Sequence, residues 1–279
     1  MQRYFLETPT PESNTLLLQD ENLHHMLRVM RMKEKQEVYL VFSDEKVWQV
    51  SAKEVKNDGI LFEKVCEITK NVEMPVQVSI ASGFPKGDKA EWITQKAVEL
   101  GVHTIFFFPS TNSVVKWDDK KREKKQIRLQ KIAQEAAEQS HRTHLPKVEL
   151  LANIQELYSR FVDYQEILIA YEESAKNGED AQLLQTIGKM EKGEELLAIF
   201  GAEGGLSVEE VEKMTALGGK CAGLGPRILR TETAPMYLLG AVSVLTELKN
   251  GGCSENNEEF LKGVSMDAKK ITHKSGYDG

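Results

Sequence analysis

Two glycine-rich stretches late in the chain constrain its fold more than any other feature of the sequence. Seven of its 20 glycines fall between Gly201 and Gly225: five lie within FGAEGGLSVEEVE (200–212) and GLGPRILRTETAP (223–235), and two lie between these stretches. Glycine at this density indicates backbone conformations that a side chain would obstruct, or backbone that closely approaches a ligand. The two stretches are therefore the first candidates for a binding site.

The first stretch has the pattern of a strand, a turn and a capped helix. The apolar run LLAIF (196–200) predicts a buried strand. Ser207 and Glu210 form an S-x-x-E capping box, which predicts a helix that continues to about Leu217. Sheets of the α/β class bind ligands at the carboxyl ends of their strands. The glycine loop lies where such a sheet would place a ligand.

Strands and helices alternate through the larger, C-terminal part of the chain, after a boundary at residues 70–75. This alternation predicts an α/β fold with a mainly parallel sheet. Predicted strands lie at 76–83, 103–110, 166–173 and 196–200, and predicted helices at 88–100, 118–139, 180–190 and 207–217. Pro235 is expected to open a last helix that ends near Leu248.

The first 70 residues follow another pattern. From residue 38, runs rich in Val, Ile, Phe, Tyr and Trp alternate with turns that contain Asp and Gly, which predicts a small antiparallel barrel or sheet. Residues 22–31 (NLHHMLRVMR) predict a brief helix. His25, Arg28 and Arg31 share its polar side, either as a solvated face or as a face that contacts phosphates.

The composition narrows the class of protein. A hydrophobic content of 41% and a charged content of 28% are ordinary for a soluble globular enzyme, and no run has the length of a membrane span. Three separated cysteines in no metal-binding spacing predict a reduced, cytoplasmic protein without a zinc site. The net charge is −7, but residues 116–147 hold ten basic and five acidic side chains. This local basic segment can attract phosphates.

The glycine loops match no common nucleotide-binding or hydrolase motif. GAEGG lacks the G-x-x-x-x-G-K-[ST] spacing of a P-loop and the G-x-G-x-x-G spacing of a dinucleotide site. The chain also has no G-x-S-x-G elbow and no H-E-x-x-H motif. What remains is a ligand held mainly by backbone and apolar groups, with arginines close by.

Eight motifs, in order along residues 1–248, carry a resemblance to a known family. They are QRYF, HHMLRVMR, SGFPKGDKAEWITQKAVELG, SVVKWDDKK, KIAQEAAEQSHR, AYEES, FGAEGGLS and LGPRILRTETAP. On these motifs the chain resembles the bacterial 16S ribosomal RNA (uracil-N3)-methyltransferases, the methyltransferase E family of the SPOUT superfamily.

The resemblance implies two domains and an activity. Residues 1–70 would form a PUA-like β-barrel that binds RNA, and residues 75–248 an α/β SPOUT methyltransferase domain with a trefoil knot. The polar residues 251–279 are expected to be a poorly ordered extension. The family implies a cytoplasmic homodimer that uses S-adenosylmethionine to methylate N3 of a uridine in 16S rRNA of the small ribosomal subunit. Two alternatives are a SPOUT enzyme with another RNA target and a non-catalytic RNA-binding assembly factor.

The resemblance also assigns binding residues. The expected cofactor contacts are Tyr171, Phe200, Gly201, Gly204, Leu224, Gly225, Ile228 and Leu229. The expected RNA contacts are Arg3, His25, Arg28, Arg31, Lys86 and Arg230. Glycines would let the backbone come close to the adenine of the cofactor, and the Leu and Ile side chains would pack against it. No metal ligands are expected.

Methyl transfer to uracil N3 needs aligned groups, loss of the imide proton and stabilisation of the charge on the flanking carbonyl oxygens. Arg142 is the first catalytic candidate for that stabilisation, and it cannot be the base because guanidinium stays protonated. The base would be Glu138, Glu172 or Glu232, or water. Two plainer interpretations stay open: Glu138 pairs with Arg142 at i+4 on one helix, and Arg230 anchors a turn.

Three residues depart from the family pattern. Ala202 stands where the family usually has proline, which predicts a less rigid turn. Asn112 and His144 stand where arginine is common. The expectation of RNA contacts at these two positions is correspondingly weaker.

Overall fold

The computed structural model describes residues 1–171 and 181–248, so the predicted extension at 251–279 lies outside the described residues. The N-terminal sheet is built from β1 (Arg3–Phe5), β2 (Thr15–Leu18), β3 (Glu37–Val41), β4 (Val47–Lys56) and β5 (Gly59–Ile68). Its order is β1-β3-β4-β5-β2, with β1 parallel to β3 and the other neighbours antiparallel. This hydrogen-bonded order is open, with β1 at one edge and β2 at the other.

The period-two pattern of β3 to β5 buries one face of this sheet. Leu40, Ile60 and Phe62 are fully buried and pack with Met26. Met26 belongs to a π-helical turn (His25–Val29) that continues the short helix α1 (Asn22–His24). The helix ends at residue 29 rather than at the predicted residue 31. Arg31 has φ = 51°, so it leaves the helix in the left-handed conformation.

The second sheet has six strands, all parallel to their neighbours, in the order β11-β9-β10-β6-β7-β8. They are β6 (Gln77–Gly83), β7 (Thr104–Phe108), β8 (Lys147–Leu150), β9 (Glu166–Ala170), β10 (Glu195–Phe200) and β11 (Lys220–Ala222). The predicted parallel α/β sheet is confirmed. The sequence analysis did not predict the short strands β1, β2, β8 and β11, because runs of three or four residues carry almost no periodicity.

Six helices among the described residues cover this sheet. They are α2 (Lys89–Glu99), α3 (Asp119–Gln139), α4 (Ile154–Ser159), α5 (Ala181–Lys189), α6 (Val208–Ala216) and α7 (Thr233–Ser243). The short α4 was not predicted. Helix α7 begins two residues before Pro235, which still lies in the first turn, where no backbone N–H is needed within the helix. The trefoil knot that the resemblance implies stays a prediction.

Strand β7 shows why both faces of the parallel sheet are covered. Ile105 and Phe107 point into a core that includes α2, α3 and α7, whereas Phe106 and Phe108 point into a second core with α4 and α6. All four side chains are buried. An unbroken apolar run is what a strand with two buried faces requires.

A buried ion pair lies at the amino ends of the parallel strands. Nε of Arg142 donates to Oε2 of Glu73 at 2.9 Å, and Nη1 donates to the carbonyls of Val98 and Val102 at 3.1 and 2.7 Å. Glu73 also accepts from the Thr143 N–H at 2.7 Å. Burial opposes ionisation of Glu73, but the hydrogen bonds from Arg142 and the backbone hold its pKa below the usual value.

The N-terminal sheet is attached to this pair through β1. Nη1 of Arg3 donates to the carbonyls of His141 and Arg142 at 2.6 and 2.7 Å, and its guanidinium lies 5.4 Å from the centre of the Tyr39 ring. Phe5 of β1 belongs to the same core as the parallel sheet. The two sheets are therefore joined by buried contacts as well as by the chain.

His144 adds a polar contact between the two sheets. Its Nδ1 lies 2.8 Å from Oε1 of Glu45, which follows β3, and its Nε2 lies 3.0 Å from the carbonyl oxygen of His103, which precedes β7. The two imidazole rings are stacked at 4.1 Å. Burial, and secondly the charge of His144, lower the pKa of His103 to about 4. His144, which stands where arginine is common in the family, thus contributes to the contact between the two sheets.

We expect Arg142→Ala to lower the free energy of unfolding by about 3–5 kcal/mol, because it leaves the buried Glu73 carboxylate without its counter-ion. Urea unfolding followed by circular dichroism measures this. The matched control is Arg128→Ala, which removes an exposed arginine of α3 paired with Glu91 and should cost less than about 1 kcal/mol. Equal, small losses in both variants would contradict a stabilising role for Arg142.

Candidate functional site

A cavity of about 630 Å³ lies at the carboxyl ends of β9, β10 and β11. Tyr171 follows β9, Phe200 ends β10, and Leu224 lies just after β11. The cavity is lined by all eight residues expected to contact the cofactor: Tyr171, Phe200, Gly201, Gly204, Leu224, Gly225, Ile228 and Leu229. The two glycine-rich stretches, which are separate in sequence, thus form one concave surface.

The first glycine loop is a tight turn in which backbone packs on backbone. Gly205 donates its N–H to the Ala202 carbonyl at 2.9 Å and has φ = 70°. A Cβ on Gly201 would lie 2.4 Å from the carbonyl carbon of Gly205, and a Cβ on Gly83 would lie 2.5 Å from the Ala202 nitrogen. Both distances exclude a side chain, so these two glycines are required by close approach.

The capping box at the start of α6 also fixes the neighbouring loop. Ser207 and Glu210 form the predicted reciprocal cap. Oε1 of Glu210 additionally accepts from the N–H and the hydroxyl of Thr111 at 2.8 and 3.1 Å, and the Asn112 amide donates to the Gly204 carbonyl at 3.0 Å. The sequence predicts the cap but not its second function. Asn112, a departure from the family, supports the cofactor loop.

The second glycine loop carries the exposed and charged part of the cavity wall. Gly225 has φ = 83°, a conformation that favours glycine. Arg227, Ile228 and Arg230 are exposed side chains that line the cavity. The loop ends where Thr233 donates its N–H to the Arg230 carbonyl at 2.8 Å. An exposed isoleucine between two arginines is suited to a ligand that is apolar on one side and anionic on another.

One lysine at the cavity bridges both loops. Nζ of Lys89 lies 3.1 Å from Oε1 of Glu203 in the first loop and 3.0 Å from Oε2 of Glu232 beyond the second. The hydrogen bond to Glu232 is the main cause that raises the pKa of Lys89. The sequence analysis does not single out Lys89 within its motif, because a lysine at the start of a helix is ordinary; only the two distant carboxylates distinguish it.

Comparison with known proteins decides the family. Residues 72–243 match the RNA methyltransferase domain family, and residues 18–63 match the RNA methyltransferase PUA domain. Ribosomal RNA small subunit methyltransferase E of Bacillus subtilis (strain 168) is 44% identical over 254 residues, 90% of this chain and 99% of that protein. The chain belongs to the ribosomal RNA small subunit methyltransferase E family.

Solved structures agree with this family and with the SPOUT fold. A crystal structure of a ribosomal RNA small subunit methyltransferase E from Neisseria gonorrhoeae bound to S-adenosyl methionine has a TM-score of 0.75 at 25% identity, covering 88% of this chain and 98% of that one. A crystal structure of a hypothetical protein has a TM-score of 0.84 at 42% identity, covering 89% and 100%. The predicted fold class, a SPOUT domain with a PUA-like N-terminal domain, is confirmed.

The structure places the two catalytic candidates of this family member away from the cavity. Arg142 binds the carbonyl of Val102, which precedes β7, so it lies at the amino ends of the strands. Strands of five to seven residues put that edge roughly 15–20 Å from the carboxyl ends. Arg142 is 3% exposed, and four of its five N–H groups have partners. It is a buried structural residue, and the expectation of catalysis is corrected.

Glu138 also belongs to the junction between the two sheets. It is half-buried on α3, where it accepts from the Gln134 amide at 3.2 Å and from the backbone N–H of Phe5 in β1. Burial raises its pKa. The plainer alternative, an ion pair with Arg142, is wrong as well, since Arg142 pairs with Glu73. Glu138 therefore has no contact with the cavity.

The expected RNA contacts divide into exposed and buried residues. Four of the six are exposed: Arg28, Arg31, Lys86 and Arg230. His25 is half-buried, with Nδ1 3.2 Å from the Tyr4 hydroxyl. Arg3 is 5% exposed and joins the two sheets, so its expected RNA contact is corrected. The sequence could not separate Arg3 from the others because a tertiary contact 138 residues away buries it.

Within residues 1–171 and 181–248, no group of three or more His, Cys, Asp or Glu side chains is arranged to hold a metal ion. No helix in the same described parts of the chain has the length and apolar character needed to cross a membrane.

We expect Gly201→Ala to lower the free energy of unfolding by about 1–3 kcal/mol, because the new methyl group would force the first glycine loop apart. Thermal unfolding followed by calorimetry measures the change. Gly188→Ala is the matched control: it lies in α5, where an added Cβ meets nothing within 4 Å. That substitution should stabilise the protein by about 0.5–1 kcal/mol. A neutral Gly201→Ala variant would contradict the close approach.

Proposed function

We propose that this chain transfers a methyl group from S-adenosylmethionine to N3 of a uridine in 16S rRNA of the small ribosomal subunit. The observation that carries the proposal is the single cavity formed by both glycine loops. Its size is within the range of small-molecule and cofactor sites. The N. gonorrhoeae relative bound to S-adenosyl methionine and the B. subtilis relative support the cofactor and the RNA substrate.

The residues present fit such a cofactor. A Cβ on Gly205 would meet no atom within 4 Å, and one on Gly225 only the Tyr237 hydroxyl at 3.5 Å, so both glycines leave open space at the cavity. Their N–H and C=O groups would read the adenine edge, while Leu224 and Ile228 would pack against its faces. When bound, the cofactor would supply an activated methyl group on its sulfonium.

The chain would then align the uracil and increase the charge on N3. Arg227 and Arg230 are exposed guanidinium groups that line the cavity, and they replace Arg142 as candidates to stabilise charge on the uracil carbonyl oxygens. Glu232 is a remaining carboxylate that could accept the imide proton. Burial opposes its ionisation, but its own N–H and Lys89 hold its pKa low, so it is ionised at neutral pH. Glu172 lies outside the described residues.

Exposed basic groups would bind the RNA backbone. Arg28 and Arg31 are exposed on the N-terminal domain, and Lys86 and Arg230 are exposed beside the cofactor loops. The basic segment 116–147 includes α3. Phosphate contacts of this kind make affinity fall steeply with salt. The enzyme would act in the cytoplasm, where ribosomal subunits are assembled and found.

We also propose that the chain acts as a homodimer through α7 and the turn that follows it. Val244 and Leu248 are 56% and 69% exposed, and Tyr237 and Ile228 add further exposed apolar surface. Residues 237, 244 and 248 repeat at helical spacing and so share one face. A helix that is apolar on its solvent-facing side as well as on its core-facing side needs a partner to cover the solvent-facing side.

A dimer formed through this surface should dissociate when Val244 is replaced by a charged residue. Sedimentation velocity should give twice the chain mass for the wild type, and Val244→Glu should shift the protein toward the monomer because a carboxylate would be buried in the interface. Val162→Glu is the control, since Val162 is 87% exposed in a turn far along the chain from α7. A monomeric wild type would overturn the proposal.

The activity is tested with S-adenosylmethionine and unmodified small ribosomal subunits, followed by nucleoside mass spectrometry. We expect 3-methyluridine in 16S rRNA. A methyl group on another base atom or another RNA would favour a SPOUT enzyme with a different target. Absence of both methylation and cofactor binding would favour the non-catalytic assembly factor.

We expect Gly225→Val to reduce S-adenosylmethionine affinity at least tenfold, measured by titration calorimetry, because a branched side chain would enter the cavity. Gly218→Val is a closely matched control. Gly218 also has positive φ, at 101°, and open space around it, but it ends α6 and does not line the cavity. Both variants carry the same type of backbone strain, so equal affinities would rule out this position for the cofactor.

A further inference from the structure

The ammonium group of Lys89 is a single point at which three parts of the cavity wall meet. Lys89 is the first residue of α2, the helix that follows β6. Glu203 belongs to the loop after β10, and Glu232 precedes α7 at the end of the loop after β11. The two carboxylates come from two different glycine-rich stretches that line the cavity, and both are within 3.1 Å of one nitrogen.

This arrangement differs from the other lysine pairs of the chain. Lys96 on the same helix pairs only with Glu99, one turn away, which is a local surface pair. The side chains of Lys89 and Glu232 are 32% and 19% exposed, against 36% and 30% for Lys96 and Glu99, so the two lysines differ mainly in that Lys89 joins segments distant in the chain. Glu203 is further fixed because its Oε1 accepts the Lys86 backbone N–H at 3.0 Å.

The charges around Lys89 indicate its role. Without its ammonium, two carboxylates would face each other across a short gap, and like charges at such a separation repel. Each carboxylate is attached to one glycine loop. Their repulsion would therefore push apart the two loops that enclose the cavity.

We propose that Lys89 is a positioning residue that holds the two glycine loops at the spacing needed to bind S-adenosylmethionine. This inference rests on the proposed function, because it takes the cavity as the cofactor site. It assigns to Lys89 a role through Glu203 and Glu232 rather than through contact with the transferred methyl group. Loss of the ammonium should weaken cofactor binding and leave the rate at saturating cofactor nearly unchanged.

The test is Lys89→Met, which keeps the length and apolar stem of the side chain but removes its charge. Titration calorimetry is done with S-adenosylmethionine and with S-adenosylhomocysteine, which lacks the positive sulfonium. If Lys89 positions the loops, both ligands should lose affinity by the same factor, at least tenfold. If Lys89 acts only through cavity charge, the variant should bind the sulfonium ligand more tightly relative to the uncharged one, which would overturn the proposal.

Two further variants complete the design. Lys89→Arg should restore most of the affinity, because a guanidinium can bridge two carboxylates. Lys96→Met should bind both ligands like the wild type. In methylation kinetics, Lys89→Met should raise KM for S-adenosylmethionine at least tenfold with kcat within about threefold of the wild type. A large loss of kcat with an unchanged KM would overturn the positioning role.

The outcome for the wild type separates this inference from the proposed function. If the wild-type protein does not bind S-adenosylmethionine, the proposed function fails. If the wild type binds and Lys89→Met binds equally well, only the inference about Lys89 fails. Thermal unfolding of each variant shows whether it is folded, and normal cofactor affinity in Lys96→Met shows that removing a lysine from α2 is not in itself disruptive.

Discussion

The close approach of backbone to backbone at the carboxyl ends of the parallel strands is the constraint on which the site depends. Gly83 lets β6 end directly against Ala202, and Gly201 lets the first loop fold back onto Gly205. Neither position has room for a Cβ. The loop is thereby narrow enough for the second glycine loop to face it across a cavity, and the glycines at the cavity leave their polar backbone groups accessible to a ligand.

The amino-end and carboxyl-end edges of the parallel sheet have different functions. At the amino ends, Arg142 and Glu73 form a buried pair, and Arg3 attaches the N-terminal sheet to it. At the carboxyl ends, the glycine loops form the cavity, with Lys89 between their carboxylates. Parallel strands place all their carboxyl ends at one edge, so the ligand site and the domain junction are separated by the length of a strand.

The sequence predicts best those features that depend on interactions between residues close together in the chain. The strands and helices of the α/β part, and the Ser207–Glu210 cap, follow from hydrophobic period and local hydrogen bonds. The eight cofactor candidates were named from motifs, and all of them line one cavity. Strand β8 and helix α4 were missed because short elements have too few residues to show a period.

Side-chain roles at long range were predicted less well. The sequence interpretation of three residues rests on their types and their places in motifs. In the structure, all three lie at the junction between the two sheets: Arg142, Glu138 and Arg3. Arg142 pairs with Glu73, 69 residues away, and Arg3 binds a carbonyl 138 residues away. Glu138 accepts from the N–H of Phe5, which is also distant in the chain. A guanidinium is equally suited to a carbonyl, a carboxylate or a phosphate, so residue type alone cannot select among these partners.

The sequence by itself determined the family, the parallel α/β architecture and the two glycine loops, because these depend on local pattern and on motifs of contiguous residues. Only the tertiary structure decided which charged groups face the cavity and which are buried at the opposite edge of the sheet. The physical reason is that the position of a charge relative to a site depends on strand order and on contacts between distant segments. Lys89 and Arg142 are both basic residues in family motifs, and the fold alone places one at the cavity and the other against Glu73.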